Sequence, residues 1–286
     1  MPKTFFKMIL ALLIGLLGSL VFIFFHLPLP WLMGSIFATS IAIRFDKIPI
    51  SSPKLFSSPA RILIGLAIGS AFTPEILKYI PQYTFSLLLV IPFTILVIFF
   101  GTFYYYKILK YDLKTSYLGS MPGGVIEMVI IGQELKANTA KITLMQSSRL
   151  FFVVVSLPFI IQYIFQIDIR GNQLLTTPLV NVDFTQFLVL YIFGVLGAII
   201  AKKLSLTAAF LMGPMIVSII LYSSGVFNVA IPDEFLKFIQ IVFGVIIGFT
   251  FRGVPLKTIY QTLIATLGHF TILAILCILF IAIIHF

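Results

Sequence analysis

The chain has 286 residues, 60% of them hydrophobic and only 10% charged, with a mean hydropathy of +1.15. Soluble domains carry about 25% charged residues, so a water-soluble fold is excluded. A net charge of +10 would suggest nucleic acid in a soluble protein. Here Lys and Arg lie mostly in short segments beside apolar runs, which reads as the positive-inside bias of a membrane protein. The expected partner is the lipid bilayer, and no nucleic-acid partner is expected.

In chain order, apolar segments fall near 5–25, 31–45, 60–74, 84–106, 115–133, 142–166, 186–201, 207–223, 237–251 and 259–285. Several approach the roughly 20 residues a helix needs to cross a bilayer. Helices satisfy their own backbone polar groups in lipid, and the alternation of an outer-membrane barrel is absent. The fold class expected is all-α, a polytopic transmembrane helical bundle. The first segment has Lys3 and Lys7 before an apolar core, like a signal peptide. Its apolar run is long for a signal and no A-x-A site follows, so it reads as the first membrane helix. Pro28, Pro30 and Trp31 suit an interfacial helix start. Tyr104, Tyr105 and Tyr106 abut Lys107, the pattern of an interfacial aromatic belt. The longest polar stretch, about 167–185, carries Asp168, Arg170, Asn172 and Asp183. The one cysteine, Cys277, lies in an apolar run and reads as a packed hydrophobe.

An internal repeat runs through the chain at an offset of 179 residues. Gly15-x-x-Gly18 recurs as Gly194-x-x-Gly197, and Leu32-Met33-Gly34 as Leu211-Met212-Gly213. Gly65-x-x-x-Gly69 recurs as Gly244-x-x-x-Gly248. The first copy is assigned to 1–180 and the second to 181–286, where the chain stops before any counterpart of 115–166. The link 44–61 is basic (Arg44, Lys47, Lys54, Arg61), whereas the link 223–236 of the second copy has no Lys or Arg and holds Asp233 and Glu234. Conversely, the loop at 26–30 has no Lys or Arg, whereas the loop at 202–206 before the matching helix of the second copy has Lys202 and Lys203. The basic side swaps between copies, as an inverted-topology repeat requires. If 115–133 enters and leaves on one face, nine crossings remain. With the N-terminus cytoplasmic, 15 of the 19 Lys and Arg lie inside. Lys78, Arg170 and Lys237 then lie outside, and Arg149 lies within a span. If 115–133 crosses, the split falls to 11 against 7, so the re-entrant reading is preferred.

Pro122-Gly123-Gly124 sits in the middle of that segment. Proline stops a continuing helix, and a break at membrane depth is tolerated only where protein or water covers it. Transporters use such breaks to present helix ends to substrates; a simple kink is the bland alternative. Glu127 follows among Val125, Ile126, Met128 and Val129. An intramembrane carboxylate marks a pathway, a proton site or a structural ion pair. Gln146 and Arg149 share one helix face at i and i+3, and Arg149 is the partner expected for Glu127. The substrate or ion pathway is therefore assigned to Pro122, Gly123, Gly124, Glu127, Gln146 and Arg149. Gly65, Gly69, Gly244 and Gly248 are assigned to close helix packing, in runs short for a membrane crossing. His269 in the last run reads as packed or pore-lining. His26, His269 and His285 share no metal-ligand spacing with Cys or acidic residues. No nucleophile motif, Walker loop or dinucleotide fingerprint is present, so no enzyme activity, cofactor or metal is expected.

At Pro30-Trp31-Leu32-Met33-Gly34, at Gly65-x-x-x-Gly69, and above all at Met121-Pro122-Gly123-Gly124-Val125-Ile126-Glu127-Met128 followed by Met145-Gln146-Ser147-Ser148-Arg149, the chain resembles the AbrB family of bacterial membrane proteins. The resemblance implies a duplicated membrane unit in the bacterial cytoplasmic membrane. Some members of that family carry the label "regulator", from an effect on gene expression, and some "ammonia monooxygenase"; the soluble DNA-binding AbrB regulators share only the name. A full second copy would bring a second Pro-Gly-Gly-x-x-Glu region, absent here. A one-sided site, a homodimer and a chain cut short all fit that departure. Residues and resemblance together point to a secondary transporter or exporter of a small solute, with Glu127 either a site for proton coupling or a structural partner of Arg149. The alternative is a membrane regulator acting indirectly on gene expression.

Overall fold

The computed structural model describes residues 2–27, 29–45, 47–161, 166, 176–178, 182–225 and 227–285. Pro28, Asp168, Arg170, Asn172 and the 180/181 boundary between the two copies lie outside that set. The chain is all-α. Its helices are α1 (Pro2–Phe24), α2 (Pro30–Ala42), α3 (Lys54–Ser70), α4 (Pro74–Phe103), α5 (Leu113–Ser120), α6 (Val125–Glu134) and α7 (Thr139–Phe159). They continue with α8 (Phe184–Lys203), α9 (Ala209–Ser223), α10 (Asp233–Phe249) and α11 (Leu256–His285). Two two-residue strands, β1 (Thr176–Thr177) and β2 (Ile231–Pro232), pair in parallel. Among the described residues, five helical stretches are long and apolar enough to cross a membrane: Thr4–Phe24, Pro81–Ile108, Thr139–Leu157, Phe184–Lys203 and Leu256–Ile284. Two helices begin well before their apolar runs. The 30-residue α4 starts at Pro74, with Glu75 in its first turn, and α3 starts at Lys54. A helix N-terminus welcomes Pro and acidic groups, so hydropathy alone places these starts too late.

The repeat is written in the backbone. Shifted by 179, α3 coincides with α10 residue for residue, and α2 begins where α9 begins. The turn before the second helix of each copy has the same rare geometry. His26 (φ 54°) and Leu29 (φ 44°) match Ser205 (φ 55°) and Ala208 (φ 51°). Positive φ is uncommon for residues other than glycine, so its recurrence at equivalent sites reflects duplicated structure.

Contact-dense packing divides the chain into two compact units, each drawing on both copies: Met1–Ile80 with Pro158–Phe249, and Pro81–Leu157 with Thr250–Phe286. In the first unit the copies exchange partners. A methyl placed on Gly65 would strike Leu211 O, and one on Gly244 would strike Leu32 O. Gly69 faces Ser218, and Gly248 faces Thr39. Subtracting 179 turns Leu211 into Leu32 and Ser218 into Thr39, so the contact is reciprocal, the mark of a two-fold relation. Direction follows from three contacts. In the α1–α2 pair, Gly15 lies by Ser35 and Ser19 Oγ donates to Trp31 O at 2.9 Å, so these helices run antiparallel. Ser51 N donates to Lys7 O at 3.2 Å, so α3 starts at the level where α2 ends and runs opposite to it. Gly65 meets residues 211–215 and Gly69 meets 215–218, so α3 runs parallel to α9. Hence α9 runs opposite to its counterpart α2, and the repeat is inverted.

These approaches are possible only because the positions lack side chains. Gly65→Ala and Gly244→Ala are each expected to cost about 1–3 kcal/mol by forcing helices apart. The two contacts share no partner, so the double variant should lose close to the sum. Thermal unfolding in detergent measures both.

Candidate functional site

The segment 115–133 is two helices. α5 has eight residues and α6 ten, so they reach about 12 Å and 15 Å, each near half of a 30 Å hydrocarbon core. Asp112 caps α5, its carboxylate accepting from Thr115 N at 2.8 Å. Partial burial pushes the Asp112 carboxyl up, but hydrogen bonds from Thr115 and the nearby Lys141 outweigh this and hold it below its ordinary value. Met121 (ψ 129°) and Gly124 (ψ 139°) are both extended and break the helix around Pro122-Gly123. The chain then returns to its starting level. Lys114 Nζ donates to Leu135 O at 3.0 Å, and Asn138 N donates to Thr115 Oγ1 at 2.9 Å. Leu118, Met128 and Ile142 close the hairpin with a buried apolar cluster. Two half-length helices with paired bases thus carry Pro122, Gly123 and Gly124, all exposed, at their tip.

α7 supplies what the break leaves unsatisfied. The last carbonyls of a helix have no partner within it. Gln146, 1% exposed, donates from Nε2 to Leu118 O at 2.8 Å and to Met121 O at 3.0 Å. Arg149 Nη1 donates to Ser120 O and Met121 O, both at 3.1 Å, and its Nη2 donates to Gln146 Oε1. The guanidinium sits at the negative end of the α5 dipole, where a cation is favoured. Gln146 and Arg149 therefore act as one unit on the C-terminus of α5. Glu127 is the third residue of α6, and its side chain lies outside the described part. Among the described residues, the partners of Arg149 are the carbonyls of the break and Gln146.

Sequence reading passed over the surroundings of this unit. After α4 the backbone makes a π-turn at Tyr104–Ile108, a feature frequent at functional sites. Tyr105 is fully buried there, its ring 5.0 Å from that of His269. Tyr106 is 39% exposed, with Lys107 over its ring. The tyrosine triplet thus does not form a uniform belt: the π-turn sends Tyr105 inward. Ser120 pairs with Thr102 across 2.9 Å. Gly101 lies against both His269 and Ser120, and a methyl on it would overlap each.

The family of transition state regulatory protein AbrB matches residues 31–286. The chain belongs to the AbrB family. Among curated relatives, Uncharacterized protein YhjN of Bacillus subtilis (strain 168) is 29% identical over 58% of this chain and 45% of its own length. Putative regulator AbrB of Escherichia coli (strain K12) is 26% identical over 57% of this chain and 47% of its own. The chain spans about half the length of the curated relatives it matches. No solved structure matches it. Both the Pro-Gly-Gly break and the Gln146–Arg149 pair fall within the part matched to the AbrB family.

Proposed function

We propose that the protein is a secondary transporter of a small solute, proton-coupled through Glu127, in the bacterial cytoplasmic membrane with its N-terminus cytoplasmic. The observation that carries this reading is the half-depth hairpin, whose broken end is capped by a buried glutamine and an arginine. Inverted repeats with discontinuous helices are the architecture in which solute sites form near the bilayer midplane. A break of this kind costs backbone hydrogen bonds in lipid, and a protein with no use for the site would run a continuous helix. The test is flux. Purified protein in sealed vesicles, given an imposed pH gradient, should accumulate or expel members of a panel of labelled small solutes. It should also relax the gradient faster in the presence of the transported one. No solute movement and no solute-dependent proton flux would overturn the reading. The names of the AbrB family and of the Escherichia coli relative favour a second reading, an indirect regulator of gene expression. Altered transcription on deletion, with inert vesicles, would support that instead.

The orientation has its own test. In a Cys277→Ser background, Ser51→Cys should be shielded from an impermeant maleimide on intact cells, and Ser224→Cys should react. The motive is the 15 to 3 split of basic residues; the reverse labelling pattern would refute it.

A further inference from the structure

Buried polar groups are normally hydrogen-bonded, and those that are not call for an explanation. In the second compact unit several unpartnered groups occur together. His269 is fully buried, and neither of its ring nitrogens has a hydrogen-bond partner. The same holds among the described residues for the hydroxyl of Ser148 on α7, 1% exposed, while the hydroxyl of Thr266, one turn earlier on α11 and fully buried, has only the buried Tyr105 hydroxyl beside it. These groups share one level. Met145 and Ala265 belong to one apolar cluster with Tyr105, and Phe152 stacks on Phe270 at 5.9 Å. The two contacts run the same way along α7 and α11, and they bracket Ser148 and Arg149 on one helix and Thr266 and His269 on the other. Ser148 and Arg149 lie at the middle of the 21-residue α7, which is the depth of the bilayer midplane if that helix crosses.

Arg149 completes the set. A guanidinium has five N–H donors; three go to Ser120 O, Met121 O and Gln146 Oε1. Two N–H groups remain without a partner among the described residues, and there no carboxylate lies within ion-pair distance. The cluster thus combines a fixed positive charge with the donors of an imidazole and two hydroxyls. A cation would meet Arg149, whereas a carboxylate or other oxyanion finds the planar fork that suits it. The exposed hairpin tip joins this cluster directly, because Met121 O is bonded to Arg149 and Pro122 follows. The position equivalent to His269 in the first copy is Val90, so the first copy does not repeat this histidine.

We propose that Arg149, Ser148, Thr266 and His269 form the binding site for the anionic group of a small solute. The assignment rests on the transporter reading and names its substrate class. The test uses the full purified chain in detergent, unfolded by heat in the presence of acetate, lactate, succinate, phosphate or sulfate, with chloride at matched ionic strength as reference. A ligand bound only by the folded state raises the transition in a saturable way. At least one of these anions should do so, equally as sodium or choline salt. Organic carboxylates alone would name a carboxylate solute; phosphate or sulfate alone would name an inorganic oxyanion. Thr266→Val removes one hydroxyl at nearly constant shape and should weaken the apparent affinity about tenfold, the equivalent of about 1.4 kcal/mol. His269→Ala should weaken it at least as much, and Thr266→Val alone decides the matter if His269→Ala does not fold. The assignment is overturned if no anion stabilises the protein, or if stabilisation is the same in Thr266→Val as in the parent. If vesicles carry a cationic or neutral solute while no anion binds, the transporter reading stands and this site falls. If an anion binds here and no solute crosses, the site stands and the transporter reading falls.

Discussion

Replacing Arg149 by methionine should destabilise the protein by about 3–5 kcal/mol, the cost typical of removing one partner from a buried charged network. Met fills much of the arginine stem's volume, so the loss isolates the guanidinium from packing. Three charge-assisted hydrogen bonds disappear, each with a net worth of about 1.5–3 kcal/mol, although shared partners keep them from adding fully. Ser120 O loses its described side-chain donor, and Met121 O keeps only Gln146. The C-terminus of α5 also loses the positive charge that faces its dipole. Arg149→Lys should fall between the two, because an ammonium restores charge but not the fork that spans two carbonyls and an amide. The readout is the detergent melting curve, supported by protease susceptibility at the 121–124 tip. A melting curve for Arg149→Met equal to that of the parent would mean that the break is satisfied without α7.

The inverted repeat was legible because duplication preserves spacing: one offset links three glycine motifs, and the same offset aligns helix starts and the positive-φ turns at 26–29 and 205–208. The break was legible because Pro-Gly-Gly leaves few backbone alternatives. What stayed hidden depends on direction in three dimensions. Tyr105 looks like its neighbours Tyr104 and Tyr106 in sequence, and only the π-turn turns it inward. His269 is a lone histidine in an apolar run, and nothing local says that Gly101 and Tyr105 meet it. Arg149 shows a related limit. Sequence pairs an arginine with the nearest carboxylate, but every residue carries a carbonyl, and a helix end offers several at once. A guanidinium satisfied in this way leaves no signal in side-chain identities.

That arrangement sharpens the expectation for Glu127, the third residue of α6. Glu127→Gln keeps the shape and removes the titratable charge. If Glu127 served only to neutralise Arg149, the variant would strand a buried cation and lose about 3–5 kcal/mol. The structure gives Arg149 three hydrogen bonds that involve no carboxylate; these remain in the variant, so the loss is expected to fall below that figure. Its function should change far more. A proton-coupled carrier whose coupling carboxylate can no longer bind and release a proton loses the link between the pH gradient and solute accumulation. Vesicles bearing Glu127→Gln should therefore show no gradient-driven accumulation, while exchange of labelled for unlabelled solute across the same vesicles persists, since exchange needs no net proton movement. Loss of both activities in a stable, folded variant would make Glu127 part of solute binding rather than of coupling. Full gradient-driven accumulation would remove it from the mechanism, and a large loss of stability would return it to a structural pairing with Arg149.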